Sequence, residues 1–115
     1  MGYNEKLAIR IREALSHQNN VEEKKLMSGL TFMVNGKMCV CAVENELMCR
    51  IDPAIQEAAL EKKGCRAMVM KGKPLKGYVF IEEEGIRNKK DFDYWINLSL
   101  DFNDRAKASK KPKKK

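Results

Sequence analysis

The chain has little of what most catalytic and metal sites are built from. Its 115 residues include one histidine, His17, and four cysteines, Cys39, Cys41, Cys49 and Cys65. Zinc sites usually combine a C-x2-4-C pair with a second such pair or with histidines, and this spacing fits no such frame. The sequence also contains no Ser/His/Asp set and no glycine-rich phosphate loop. We therefore predict no catalytic site, no metal or other cofactor, and no small-molecule substrate.

Long apolar runs and a secretion signal are absent as well. No stretch approaches the ~18 consecutive apolar residues that a membrane helix needs. The first ten residues, MGYNEKLAIR, lack the basic-then-apolar pattern of a signal peptide. We expect a cytoplasmic protein without a membrane partner, whose reduced cysteines serve as small buried hydrophobic side chains.

The net charge of +7 comes from one end of the chain. Residues 105–115 hold seven basic residues and no acidic ones, which leaves 16 basic against 16 acidic residues in 1–104. We predict a disordered basic tail over 105–115, which would contact nucleic acid weakly and without sequence preference, or would serve only solubility. The candidate nucleic-acid contacts are Lys110, Lys111, Lys113, Lys114 and Lys115.

The hydrophobic pattern predicts five strands and three helices in the order α-β-β-β-α-β-β-α. The dipeptide Asn35-Gly36 is a strong hairpin signal, and hairpin connections favour a mainly antiparallel sheet. Residues 1–104 are thus predicted to form one two-layer α+β domain, with the helices packed on the sheet. The predicted helices cover residues 4–17, 53–64 and 88–105, and the predicted strands are Leu26–Val34, Lys37–Val43, Leu47–Asp52, Cys65–Met70 and Gly77–Glu82.

The hairpin lengths predict which side chains share a face of the sheet. A two-residue Asn35-Gly36 loop places Phe32 opposite Cys39 and Leu30 opposite Cys41, and a three-residue loop over 44–46 places Cys41 opposite Cys49. The face under the helices would then hold Leu30, Phe32, Val34, Cys39, Cys41, Val43, Leu47, Cys49 and Ile51. In the fourth strand Cys65, Ala67 and Val69 would point the same way.

Most methionines fall on the opposite face, which is too apolar for an ordinary solvated sheet surface. Contiguous exposed apolar area usually marks an interaction site, and methionine suits adaptable contacts. The alternative is that these methionines fill ordinary strand positions under a helix. Arg50 on this face would either contact a partner or pair with a neighbouring acid. The predicted protein interface comprises Met33, Met38, Met48, Arg50 and Met68.

The segment Leu26–Met38, LMSGLTFMVNGKM, resembles the N-terminal domain of the TfoX/Sxy family. The likeness continues through Leu47–Ile51, through Met68–Val79 and into the helix of Trp95, and covers roughly residues 5–103. Ser28 and Thr31 depart from family glycines. The resemblance implies a two-layer α+β domain. Long members of the family regulate natural competence, and they carry an additional C-terminal helical domain. Because the resemblance covers only the N-terminal domain, we do not expect the competence role here.

We interpret the chain as a non-enzymatic cytoplasmic interaction or regulatory domain. It would act through protein contacts on the methionine-rich face, with a second copy of the chain as one candidate partner. The alternative is a nucleic-acid-binding accessory protein that uses the lysine-rich tail. An enzyme whose site the sequence hides is a third hypothesis.

Overall fold

The computed structural model describes residues 3–26 and 29–105, and within them an α+β fold with four helices and six strands. No helix in these ranges is both long and apolar enough to cross a membrane. The elements are α1 (Glu5–Ala14), β1 (Val21–Leu26), β2 (Gly29–Val34), β3 (Lys37–Val43), β4 (Glu46–Arg50), α2 (Gln56–Leu60), β5 (Cys65–Met70), β6 (Lys73–Ile81), α3 (Glu83–Ile86) and α4 (Lys89–Asn103), with a 3₁₀ turn at Pro53–Ile55.

The six strands form one antiparallel sheet in the order β1-β2-β3-β4-β6-β5. The main core lies between one face of this sheet and the helices, where Ile11 of α1 and Trp95 of α4 pack among strand residues such as Phe32 and Val79. The predicted two-layer α+β class is therefore confirmed.

Short polar side chains start the helices where the sequence predicts them. Asn4, Asp52 and Asn88 each accept a backbone N–H two or three residues further on, at 2.8–2.9 Å. These contacts satisfy amides that the first helical turn leaves without an internal partner.

The predicted count of five strands is wrong, because the chain preceding the first predicted strand forms an additional one. β1 has the sequence VEEKKL and pairs with β2, with Val21 opposite Val34 and Leu26 opposite Gly29. Four consecutive charged residues hide the apolar alternation by which a strand is usually recognised. Such charges are common at the edge of a sheet, where β1 lies.

The first hairpin has the predicted turn but not the predicted register. Asn35 and Gly36 adopt φ of 56° and 78°, as a two-residue turn requires, and Val34 pairs with Lys37. A bulge between Phe32 and Met33 then shifts the pairing by one residue. Phe32 therefore lies opposite Val40 rather than Cys39, and Leu30 lies opposite Ala42 rather than Cys41.

The second hairpin is also one residue out of the predicted register. Its turn holds two residues rather than three, with Glu44 at φ 53°, so Cys41 pairs with Met48 and not with Cys49. A one-residue slip moves side chains to the other face. Cys41 and Val43 therefore lie on the face of the sheet that the helices do not cover, although Cys41 is still buried.

The fourth predicted strand is right in extent and partly wrong in orientation. Cys65 packs against the main core, as predicted, whereas Val69 is 62% exposed. The cause is a second irregularity, since the pairing of β5 with β6 shifts between Ala67 and Val69. Bulges of this kind bend a strand and increase its twist.

Candidate functional site

The four predicted methionines lie on the sheet face that points away from the helices. We call this surface the open sheet face. Arg50 starts from the same face, opposite Tyr78, but its guanidinium reaches the ring of Phe102 on α4. Three of its residues, Cys41, Met48 and Met68, form a buried cluster in which no residue of the described helices takes part. The members of the open sheet face are Thr31, Met33, Met38, Cys41, Val43, Met48, Arg50, Arg66, Met68, Leu75, Tyr78 and Phe80.

The methionines of this face differ greatly in exposure. Met48 is fully buried, Met33 and Met68 are each 8% exposed, and Met38 is half-buried. A row of cross-strand neighbours explains the burial of Met48, because Cys41 lies on one side of it and Phe80 on the other. The apolar area that a partner can reach therefore comes from the half-buried side chains, which are Met38, Val43, Leu75, Tyr78 and Phe80.

At one side of the open sheet face an arginine covers an aromatic ring. The guanidinium of Arg66 lies 4.7 Å from the ring centroid of Phe80. The same group donates to Glu46 at 2.5 Å and lies 3.8 Å from Glu82. Because two carboxylates already neutralise this arginine, it serves chiefly to cover the ring and to join β5 to its neighbours.

Arg50 has a different environment at the other end of this face. Its guanidinium lies 5.8 Å from the ring centroid of Tyr78 and 5.9 Å from that of Phe102. Among residues 3–26 and 29–105, no carboxylate lies within ion-pair distance of Arg50. The side chain is half-buried. The guanidinium of Arg50 therefore lies near two aromatic rings, one on β6 and one on α4.

The start of the basic tail is anchored beside Arg50. Arg105 donates to Asp52 at 2.7 Å and lies 5.3 Å from the ring of Phe102, so both Arg50 and Arg105 lie near this ring. This contact lowers the pKa of Asp52 and raises that of Arg105. Arg105, counted with the tail in the sequence, therefore contacts the folded domain. The predicted lysine contacts at 110–115 lie outside the described residues.

The cysteines are free thiols in environments that keep them protonated. Burial raises the pKa of the Cys39 thiol to about 12 and that of Cys65 to about 11. Burial also raises the pKa of Cys41 and of Cys49, and the nearby hydroxyl of Thr31 reduces the effect at Cys41. Since the thiolate is the reactive form, none of the four is activated as a nucleophile.

Within the described residues, the candidate interface residues coincide with neither a cluster of metal-ligating side chains nor the groove beside α2. In the described part of the chain, no three His, Cys, Asp or Glu side chains are placed to hold a metal ion. A groove of about 570 Å³ runs between α2 and the start of β6, with Pro53, Leu60 and Pro74 in its wall, and no predicted interface residue lines it.

Tyr78 and Phe80 are surface residues that the sequence interpretation did not include. They alternate along β6 with the buried Val79 and Ile81, so their place on the open sheet face follows from strand periodicity. A pairing of β6 with β4 was needed to bring them beside Met48, and hairpin lengths alone do not give that pairing.

Two positions that match family motifs have structural roles. Gly77 has φ of +87°, its N–H donates to the side chain of Gln56, and its carbonyl accepts from the N–H of Ile51 at 2.8 Å. Trp95 is 2% exposed in the main core. Arg50, which lies in the matching segment Leu47–Ile51, is half-buried and reaches the surface.

The sequence matches a known protein family. The model of the TfoX N-terminal domain matches residues 13–103, which is most of the chain and nearly all of the folded part. Neither a curated protein nor a solved structure gives a significant match.

Proposed function

The chain belongs to the TfoX N-terminal domain family, and we propose that it acts by binding a protein partner on the open sheet face rather than by catalysis. The main support is Arg50, a half-buried guanidinium near two aromatic rings with no carboxylate at ion-pair distance among the described residues. Four free thiols support the further proposal that it does so in a reducing compartment such as the cytoplasm.

The chemistry around Arg50 specifies the contact that the partner would make. A carboxylate of the partner could accept from the guanidinium in the two-bond geometry that arginine favours. Tyr78 and Met38 would receive apolar side chains next to it, since both are half-buried on this face. We therefore propose a partner segment that combines an acidic residue with neighbouring apolar ones.

Charge favours a protein over a nucleic acid as the partner of the folded domain. Residues 1–104 carry equal numbers of acidic and basic residues. Arg66, the second arginine on the open sheet face, is already paired with Glu46 and Glu82. Binding to nucleic acid depends on several cations that neutralise phosphates, and this face offers few that are free to do so.

One observation keeps nucleic acid as a second candidate. Tyr78 is half-exposed on β6 and offers a ring on which an unstacked base could lie, whereas Arg66 already covers the ring of Phe80. The lysine-rich segment continues from Arg105, which lies beside the same Phe102 ring as Arg50. In this alternative the tail would supply the phosphate contacts that the folded domain lacks.

The experiment compares three full-length baits in native lysate: the natural chain, Arg50→Glu, and Arg87→Glu as a matched control. Arg87 is an exposed arginine of the described surface between α3 and α4, so its reversal changes net charge equally. Each capture is done with and without nuclease. We expect a protein that resists nuclease and that the natural chain and Arg87→Glu retain, while Arg50→Glu loses at least tenfold of it.

The other outcomes decide against this proposal. Equal capture by Arg50→Glu and the natural chain would remove Arg50 from the site. Capture that nuclease abolishes, and that a chain truncated after Arg105 no longer shows, would transfer the function to nucleic-acid binding by the tail.

A further inference from the structure

The free edge of the sheet at β1 carries charges in an order that complements itself. β1 reads Val21-Glu22-Glu23-Lys24-Lys25-Leu26, and its residues 22–25 are exposed. On one side β1 pairs with β2, and on the other no described strand pairs with it. We propose that this edge binds the same edge of a second copy of the chain, so that two sheets join into one across a two-fold axis.

The backbone of β1 is arranged to accept such a partner. The N–H of Asn35 donates to the carbonyl of Asn20 at 2.9 Å, which makes residue 20 a hydrogen-bonded position toward β2. Because these positions alternate along an antiparallel strand, the N–H and C=O groups of Val21, Glu23 and Lys25 point to the free edge. Two copies would pair these groups through roughly six backbone hydrogen bonds.

Symmetry and charge together select one register. A two-fold axis between antiparallel strands keeps both copies facing the same way, so only residues of equal parity can lie opposite each other. With Glu23 opposite its own counterpart, Glu22 of each copy faces Lys24 of the other. These two pairs occupy non-hydrogen-bonded positions, where the side chains are closest. A shift by one pair would instead bring Lys24 against Lys24.

The central like-charged pair is already compensated within each copy. Glu23 accepts from the Nε and Nη2 groups of Arg12 at 2.6 and 2.9 Å. Each copy therefore brings an arginine with its central glutamate, and the two glutamates meet as halves of neutral pairs. Charged side chains usually protect a sheet edge from pairing with other strands. On this edge the charges of both signs stand in an order that is complementary to itself.

An exposed apolar side chain on α1 is consistent with this arrangement. Ile9 is 48% exposed. It lies three residues before Arg12 and hence on the same side of α1, the side that reaches β1. In the proposed dimer both helices α1 flank the two-fold axis on one face, so Ile9 of each copy lies toward the partner's helix.

This arrangement would also place the two open sheet faces side by side. The proposal does not depend on the function of that face, because the β1 edge and Arg50 lie at different parts of the sheet. A dimer that failed to form would leave the capture experiment with Arg50→Glu unaffected, and the reverse is also true.

The test is a charge swap, measured by sedimentation of the full chain at low salt. Glu22→Lys or Lys24→Glu alone turns both symmetry-related attractive pairs into repulsive ones and should weaken dimerisation by about tenfold or more. The double variant restores the pairs in reversed order and should recover the natural constant within about threefold. Glu83→Lys combined with Lys90→Glu, on exposed positions elsewhere, is the matched control and should change nothing.

A cysteine placed at the axis tests the register itself. Glu23→Cys should form a disulfide between copies, since opposite residues there would lie about 5.5 Å apart. Lys25→Cys should not form a disulfide, because residue 25 of one copy would lie opposite Val21 of the other copy, four residues away from residue 25 of that copy. A chain that stays monomeric at about 1 mM, a double swap that fails to rescue, or a dimer broken by Met38→Lys and insensitive to the β1 variants would each overturn the proposal.

Discussion

The side of the sheet that the helices cover and the side they leave open both exclude water from central residues, but with different side chains. Under the helices, Ile11, Phe32 and Trp95 interlock as in an ordinary core. On the open sheet face, Met48 is just as completely buried although no described helix residue joins its cluster. Burial there comes from neighbours within the sheet itself.

Strand geometry accounts for the burial on the open side. The irregularities at Phe32/Met33 and Ala67/Val69 increase the local twist of the strands that flank the cluster. The side chain of Arg66, although half exposed, lies over the ring of Phe80. An uncovered sheet face can therefore hold a small core of its own, with an outer shell that can contact a partner.

The largest expected effect separates the two sides by stability. Trp95→Ala removes a large side chain that is 2% exposed and should lower the free energy of unfolding by about 3–5 kcal/mol. Phe80→Ala, on the half-exposed shell of the open sheet face, should cost about 1–2 kcal/mol, because less apolar area is lost. Chemical denaturation of both variants measures the difference, and equal losses would refute the distinction.

A second pair of variants tests for a difference in burial within the open sheet face. Met48→Ala empties a fully buried position and should cost about 2–3 kcal/mol. Met38→Ala, which is half-buried, should cost about 1 kcal/mol or less. Thermal unfolding of the two variants under matched conditions is the measurement. A negligible loss for Met48→Ala would mean that this cluster is not a core.

Local signals were sufficient for much of this fold. The turn at Asn35-Gly36 and the helix starts at Asn4 and Asn88 depend on residues close in sequence, and all three were predicted. The α+β class followed from the order of elements, and the family match agrees with the resemblance that the motifs indicate.

What the sequence did not reveal depends on contacts between distant segments. Two features each shift a register by one residue: the bulge at Phe32/Met33 and the two-residue turn at Glu44. Glu44 has a positive φ, which a glutamate in the sequence does not predict. The predicted Met33, Met38, Met48, Arg50 and Met68 do share one face. Tyr78 joins that face only because β6 pairs with β4.

Thiol reactivity should differ between the two faces of the sheet and its edge strand β5. Cys65 is half-buried, whereas Cys39 and Cys41 are fully buried on opposite faces. In the native protein a thiol reagent should therefore label Cys65 first, and should label the other two only as fast as the chain unfolds. Mass spectrometry of peptides after timed labelling gives the order, and Cys65→Ser is the control.

The same labelling has a predictable dependence on pH. Burial raises the pKa of Cys65 to about 11, so its thiolate fraction should grow about tenfold per pH unit from pH 8 to pH 10. An ordinary thiol would level off near pH 9. Folded thiols keep protons that unfolded thiols release near about pH 9. The free energy of unfolding should therefore also fall as the pH rises above about 9. A labelling rate that levels off near pH 9 would contradict the environment described for Cys65.

The smallest effect concerns the ion pair that joins α1 to the sheet edge. Glu23→Gln removes the charge that Arg12 holds, and because both side chains are substantially exposed it should cost less than about 1 kcal/mol. Arg12 lowers the pKa of Glu23. The contribution is therefore present above the unfolded pKa of Glu23 and is lost as pH falls through its folded pKa. Denaturation at dilute, monomeric concentration tests this, and added salt should shrink the difference. A loss that salt does not reduce would mean that Glu23 contributes by packing, as residues of the main core do.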